Sequence, residues 1–469
     1  MIALTLAELA EITAGELHGD AEVILDGPVV TDAREAETGS LYIARVGEHA
    51  DGHAYVDQAA ERGAAAALTT RAVDGLPCVV VEDTQAAFVA LSRALLERVE
   101  GLHVIGITGS SGKTSTKDLL GSVLAADGET IAPQGSYNSE VGVPLTVCRV
   151  TESTRHLVVE MGARGGGHVE YLTRIAPPQV GIVLNVGHAH VGEFGSLDAV
   201  ATAKSELVRA LPPDGLAVLN ADDPRVRAMA QVAPCPVLLV GESADADVRA
   251  SAVTLDEGGR PTFAVHAPFG TAQVTLPLVG RHHVGNALAA LAAAHAAGMP
   301  LESIARAMAT AHPTSRWRME VTERPDGVRV VNDAYNANPD SMAAALRAMV
   351  TMNSRRGADD RPGRCVAVLG AMLELGPESP TLHREVGELA GELGIDIVLS
   401  VGDEARSIAE GARSAGVAQV DEVGDVDAAH RALSGLLRSG DVVLLKSSRD
   451  AGLRFLGDRL ATESMEVTE

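Results

Sequence analysis

An α/β fold in three domains is predicted from three observations. At 469 residues the chain is about three times as long as an ordinary domain. Short apolar runs rich in β-branched residues recur along it, most of them followed by a polar turn and a helical stretch. That is the pattern of strands buried on both faces of a parallel sheet. Aromatic residues make up only 2% of the chain against 46% hydrophobic residues, so its cores must be built from Ala, Val, Leu and Ile.

The first domain is expected at 1–98. There "LTLAELAEITAGEL" reads as a short amphipathic helix ending at Gly15, and "AEVIL" and "SLYIA" read as strands. The helix "YVDQAAERGA", the strand "PCVVVED" and the helix "TQAAFVALSRALLERVE" follow. In the second domain, 99–312, the runs "HVIGIT", "HLVVEMG", "VGIVLNV", "GLAVLN" and "VLLVG" form a mostly parallel sheet. "TFAVHA" and "QVTLPLVG" alternate, which suits an antiparallel addition, and an Ala-rich helix from His283 closes the unit. "AHPTSRWRME" is a linker punctuated by Pro313, where a hinge is expected. In the third domain, 313–469, "VRVVND", "CVAVLG", "IDIVLSVG" and "DVVLLKSS" alternate with helices, giving a Rossmann-like doubly wound sheet. "NSRRGADDRPG" is its flexible loop.

Composition excludes several classes of function. With 38 basic and 63 acidic residues the net charge is −25, and no basic run offers the dense patch that a duplex needs. Nucleic acid is therefore not an expected partner, whereas a small anion needs only a few Lys, Arg and backbone N–H groups. The four cysteines (Cys78, Cys148, Cys235, Cys365) show no metal spacing and suit reduced thiols. No Lys or Arg precedes Arg34, so the start does not read as a signal peptide. The apolar stretch "ALAALAAAHAAG" is too short to span a bilayer. A cytoplasmic protein without membrane insertion is expected, and a monomer, because no exposed apolar helix stands out.

The stretch "GITGSSGKTSTKD", 106–118, lies between the strand "HVIGIT" and the helix "STKDLLGSVLAADG". It fails the common phosphate-loop pattern G-x-x-x-x-G-K-[ST], because Ile107 stands where the first glycine belongs. A strand-to-helix turn of small residues nonetheless converges N–H groups on an anion at a helix N-terminus. Gly109, Ser110, Ser111, Gly112, Lys113, Thr114 and Ser115 are thus candidate nucleotide contacts, the alternative being a Gly/Ser turn with a surface lysine. Lys113 would lie against the terminal phosphates and Thr114 would offer its hydroxyl to Mg²⁺. Glu160 ends the strand "HLVVEMG" and is the first candidate Mg²⁺ ligand, the alternative being an exposed loop carboxylate. Asn185, His188 and His190 share that sheet edge, and histidine is an unusual magnesium ligand.

The stretches "TGSSGKTSTK", "SYNSEVGVP", "VVEMG", "AHVGEFGS", "ATAKSE", "LNADDP", "GRHHVGNALAALAAA", "SRWRME" and "NDAYNANPDS" occur in this order. Together they resemble the Mur ligase family of ATP-dependent amide-forming enzymes, whose loop is T-G-[ST]-x-G-K-[ST]. "VLGAMLELGPES" and "HREVG" resemble the branch that adds a dipeptide, and the D-N-P-R signature of the branch adding a third amino acid is absent. The resemblance implies that ATP phosphorylates the terminal carboxylate of a UDP-N-acetylmuramoyl-tripeptide. D-alanyl-D-alanine would then attack the acyl phosphate. Another Mur-type ligase adding one amino acid, a folylpolyglutamate-type synthetase, and a non-catalytic regulatory protein of the same fold are the alternatives.

The resemblance also implies roles residue by residue. Lys113 would stabilise the β- and γ-phosphates, with Thr114 and Glu160 on a first Mg²⁺ and His190 on a second. Asn138 would lie near the γ-phosphate, Asn286 near the nucleotide, Asp333 at the ribose and Asn336 near the adenine. Arg316 would reach the γ-phosphate from the third domain. Lys204 would carry CO₂ as a carbamate and so serve as an anionic ligand to metal, although its spacing alone suggests a surface helix position. Asp32, Arg34, Lys446 and Arg449 would contact substrate. Two departures are visible: Asp32-Ala33-Arg34 replaces D-[ST]-R, and Lys446-Ser447-Ser448-Arg449 replaces K-G-S-R.

Overall fold

A computed structural model describes residues 1–47, 50–189, 191–353 and 363–463. Near the N-terminus, the helix Leu6–Thr13 opens with a capping box between Thr5 and Glu8. Its left-handed closing residue is Ala14, at φ 50°. Gly15 is needed for a different reason: a Cβ there would sit 2.4 Å from a Val79 methyl. A five-stranded sheet follows in the order Glu16–His18, Cys78–Val80, Ala66–Thr69, Leu41–Ile43 and Val29–Val30, antiparallel only in its first pair. "AEVIL" contributes just Ile24–Leu25, paired with Leu4–Thr5. Asp83 caps the helix Thr84–Glu97, whose Phe88, Leu91 and Leu95 join an apolar core shared with Val143, Val147 and Leu157. This shared core fastens the N-terminal unit to the next sheet.

That next sheet has nine strands. Its order is Gly270–Thr275, Pro261–Ala267, Val248–Leu255, Val237–Gly241, Leu216–Asn220, Val180–Val183, His103–Thr108, His156–Glu160, Thr130–Ile131. The first two pairs are antiparallel and the rest parallel. His103–Thr108 lies inside the sheet with a parallel neighbour on each side, so both its faces are covered. Ile105 and Ile107 pack under the helices Lys113–Leu124 and His283–Ala296, and Val104 belongs to the opposite core. Gly106 leaves room for Leu207, which a Cβ would meet at 3.0 Å.

The last sheet has six strands: Glu320–Glu323, Arg329–Asn332, Val442–Lys446, Cys365–Gly370, Ile397–Val401 and Gln419–Val423. Only the first pair is antiparallel. The helices Pro339–Met352, Ser379–Glu392 and Arg406–Ser414 cover one face, and Val426–Ser434 and Leu453–Thr462 the other. The last strand in the chain inserts beside the second, so Asp333 and the residues after Lys446 emerge together at the carboxyl edge. Ligands bind at such edges.

Of the strands not anticipated, the longer ones away from the N-terminal unit are Val248–Leu255, Glu320–Glu323 and Gln419–Val423. Each carries charged or exposed positions, so none reads as an apolar run. "NSRRGADDRPG" lies outside the described residues apart from Asn353 and Gly363. All four cysteines are free thiols. Among the described residues, no helix is long and apolar enough to cross a membrane.

Candidate active site

The turn after His103–Thr108 passes through Gly112 at φ 80°, where a Cβ would lie 2.7 Å from Asn286 Oδ1. Only glycine meets both demands. No side chain caps the helix Lys113–Leu124 at this residue, which leaves its first-turn N–H groups open to an anion. The turn is braced from the neighbouring strand end. Ser111 N–H donates to Asn185 Oδ1 at 2.9 Å, and Asn185 Nδ2 donates back to the Ser111 carbonyl at 3.1 Å. Ser110 Oγ exchanges hydrogen bonds with the backbone of Gly187. Lys113 Nζ donates across its own loop to the Gly109 carbonyl at 2.6 Å. Enclosure lowers the Lys113 pKa, the Glu160 carboxylate opposes that shift, and Arg318 adds to it.

Glu160 is 2% exposed, which removes the reading of a loose loop carboxylate. Its Oε2 accepts from Thr114 Oγ1 at 2.9 Å, and its Oε1 accepts from Ser136 Oγ at 2.6 Å and Asn138 Nδ2 at 2.8 Å. A buried hydroxyl and carboxylate side by side are hard oxygen donors of the kind Mg²⁺ takes. Magnesium is commonly held by one or two protein groups together with substrate phosphates. Among the described residues, no cluster of three or more His, Cys, Asp or Glu forms a separate metal cage. His190, expected at a second metal, lies outside the described residues.

These groups line a cavity of about 260 Å³ that both large sheets contribute to. Ser110, Ser111, Gly112, Lys113, Thr114, Ser115, Asn138, Glu160 and Asn286 come from one side, and Asp333, Asn336 and Lys446 from the other. Lys446, expected to contact substrate, lines the cavity and is held from within. It is 2% exposed and donates to Asp333 Oδ2 at 2.6 Å and to the Asn336 carbonyl at 3.0 Å. It therefore braces the "DAYN" turn. Asp333 also accepts from the Met319 N–H at 3.1 Å, tying that turn to the linker.

One correction concerns the arginine. Arg316 points away from the cavity, pairing with Asp458 at 2.9 Å and stacking on Trp317. Arg318 lines the cavity instead, donating to Thr114 Oγ1 at 3.2 Å and lying over the Tyr335 ring at 4.3 Å. Its Nε is buried without a partner. In an ordinary extended segment residues two apart share a side. Trp317 sits at φ 60°, which breaks the alternation and separates the two guanidinium groups. The stretch after Pro313, where a hinge is expected, is held by side chains. Thr314 Oγ1 and the Ser315 N–H both donate to Asp118 at 2.9 Å, so the linker stays fastened to the loop helix as far as Ser315. Trp317 and Met319 follow, both at positive φ.

The remaining expected residues stand apart from the cavity. Asp32 and Arg34 close on each other at 2.6 Å in the N-terminal unit, and Arg34 holds the Asp32 carboxyl down at about 2. Arg449 is exposed beside Tyr335. Lys204, on the helix Leu197–Arg209, is 3% exposed rather than on the surface. No carboxylate pairs with it among the described residues. Burial first, and then the Lys113 charge, push its ammonium pKa well below the ordinary value. Cavity residues that sequence reasoning passed over include Ser136, Arg164, His168, His282, His283, Arg318 and Tyr335. The second arginine of "SRWRME" was the visible signal for one of them.

Comparison with known proteins agrees with this geometry. The Mur ligase middle domain matches residues 107–294, and the Mur ligase, glutamate ligase domain matches 317–449. A UDP-N-acetylmuramoyl-tripeptide–D-alanyl-D-alanine ligase of Mycobacterium bovis is 43% identical over 99% of this chain and 98% of its own. The structure of MurF from Acinetobacter baumannii superposes with a TM-score of 0.87 at 31% identity, over 98% of this chain and 99% of that one. A second structure from that organism is described as a UDP-N-acetylmuramoylalanyl-D-glutamyl-2,6-diaminopimelate–D-alanyl-D-alanyl ligase. It gives 0.85 at 30% identity, over 98% and 99%. The resemblance carried by the motifs is borne out: this chain belongs to the Mur ligase family.

Proposed function

We propose that this cavity is where ATP activates a peptide carboxylate for amide formation. The chain joins D-alanyl-D-alanine to UDP-N-acetylmuramoyl-tripeptide in peptidoglycan synthesis, as the relatives matched along nearly its whole length do. The observation that carries the site reading is Thr114 Oγ1, which lies 2.9 Å from the Glu160 carboxylate and 3.2 Å from Arg318 of the other unit. A helix start suited to an anion, a carboxylate and a guanidinium from the other unit thus meet at one hydroxyl.

A carboxylate is a poor electrophile, so one of its oxygens first attacks the γ-phosphorus of ATP and ADP leaves. The dipeptide amine then attacks the acyl carbon and phosphate departs. Lys113, Arg318 and the N–H groups after Gly112 oppose the negative charge that develops on the transferring group. Mg²⁺ held by Thr114 and Glu160 would supply the remaining neutralisation. Asn286, Asp333 and Asn336 hold the nucleoside end, and Asn138 positions Glu160. Arg34 and Arg449 serve the sugar-nucleotide and acyl ends of the substrates. Lys204, whose ammonium form is disfavoured by burial and by the Lys113 charge, would add its amine to CO₂ and lose a proton to become an anionic carbamate. His190 and that carbamate would hold a second Mg²⁺. The three sheets correspond in this reading to domains at 1–98, 99–312 and 313–469: substrate-binding, P-loop ATPase and Rossmann-like. Built as alanyl-glutamyl-diaminopimelate, the acceptor keeps two carboxylates besides the one that reacts.

Phosphate release with UDP-muramoyl-tripeptide tests the reading. Turnover is expected with D-alanyl-D-alanine and not with single amino acids. Turnover with a single amino acid and none with the dipeptide would remove it.

A further inference from the structure

We infer that Arg164 binds a carboxylate of the acceptor peptide that takes no part in the reaction. The inference rests on the ligase reading above and assigns a specificity residue to it.

Glu160 ends its strand, and "MGARGGG" then runs along the cavity edge to the helix His168–Ile175. Both ends of this loop are fixed. The Gly162 N–H donates to the Asn138 carbonyl at 2.8 Å, and the Gly167 and Glu170 N–H groups donate to the two Glu206 oxygens at 2.6 and 3.0 Å. The N-terminus of that helix is therefore already filled by Glu206 and is not itself the ligand site. Between the anchors, a Cβ added at Gly165 or Gly166 would meet nothing within 4 Å, so packing does not explain these glycines, while Gly167 is at φ 82°. They leave open space beside Arg164.

Arg164 lines the cavity, and its side chain makes no ion pair among the described residues. Only its N–H is engaged, donating to His168 Nδ1 at 3.3 Å. Some surface arginines pair with carboxylates, as Arg98 does with Glu8 and Arg155 with Asp127, whereas Arg164 stands unpaired at the cavity itself. A guanidinium left open beside a cavity is suited to a carboxylate from outside, which it grips with a planar fork of donors. On the ligase reading, the loop also lies toward the acyl end of the cavity. It follows Glu160 directly, and Glu206, which anchors it, is two residues from Lys204 on one helix. Asp333 and Asn336, at the nucleoside end, come from the other sheet.

The test is steady-state kinetics of the full chain with UDP-muramoyl-tripeptides ending in diaminopimelate or in lysine. In Arg164→Ala the KM for the diaminopimelate peptide is expected to rise about 10- to 100-fold, the loss of one charge-assisted contact. Changes in kcat and in the KM values for ATP and D-alanyl-D-alanine should stay within about threefold, and Arg164→Lys should recover part of the loss. A similar rise with the lysine peptide assigns the glutamyl carboxylate, and a rise confined to the diaminopimelate peptide assigns the diaminopimelate one. An unchanged peptide KM, or a rise in the KM for ATP or for the dipeptide instead, overturns the inference. Wild-type chain inactive on both peptides would instead sink the ligase reading itself.

Discussion

Lys204→Ala is expected to abolish ligation, lowering kcat by about 10³-fold or more, and a short carboxylate added in solution should restore part of it. The expectation follows from where the amine sits. A lysine 3% exposed, without a carboxylate among the described residues and beside a second lysine, gains nothing as a cation. Its depressed pKa keeps it neutral at lower pH than a surface lysine, and the neutral amine is the form that takes up CO₂. Once it is carbamylated, a negative group stands near Lys113 where a positive one was disfavoured. Alanine leaves space that formate or acetate can fill with the same charge. Removal of CO₂ should depress wild-type activity, and bicarbonate should return it. Because no favourable partner is lost, the variant should melt close to wild type. Full activity in Lys204→Ala would dismiss the carbamate.

Arg318→Ala should lower kcat about 10²- to 10³-fold with ATP, the size of effect seen when a charge-stabilising donor is removed. Arg316→Ala should stay within about threefold of wild type. The two residues flank one tryptophan, and only the structure separates them. Arg318 reaches Thr114 Oγ1 and rests on Tyr335, whereas Arg316 is held by Asp458 on the outer side. Initial rates at varied ATP measure both, and the opposite ranking would show that the linker reorganises before catalysis.

The contrast between these arginines shows where the sequence was legible. Buried strands carry a strong apolar signal, so the elements holding Lys113, Glu160 and Asp333 were readable. The loop placement followed from strand, turn and helix in succession. Strands at sheet margins were lost because solvent replaces apolar neighbours there, as in Gln419–Val423. The Arg316 expectation failed because a positive φ at Trp317 reverses the side on which Arg318 emerges, and no residue type announces that. The Lys446 ion pair was not legible for a tertiary reason: its partner Asp333 lies 113 positions away in sequence. Lys204 shows the converse, since its helical spacing suggested a surface and the neighbouring helix and sheet bury it.

On this mechanism the peptide's own carboxylate is phosphorylated in the cavity. The most direct measurement uses UDP-muramoyl-tripeptide carrying ¹⁸O in both oxygens of its terminal carboxylate, with ATP and D-alanyl-D-alanine. Mass analysis of the released phosphate should find one ¹⁸O atom in each molecule, because the oxygen that attacked phosphorus leaves with it. Phosphate free of ¹⁸O while amide forms would contradict the account.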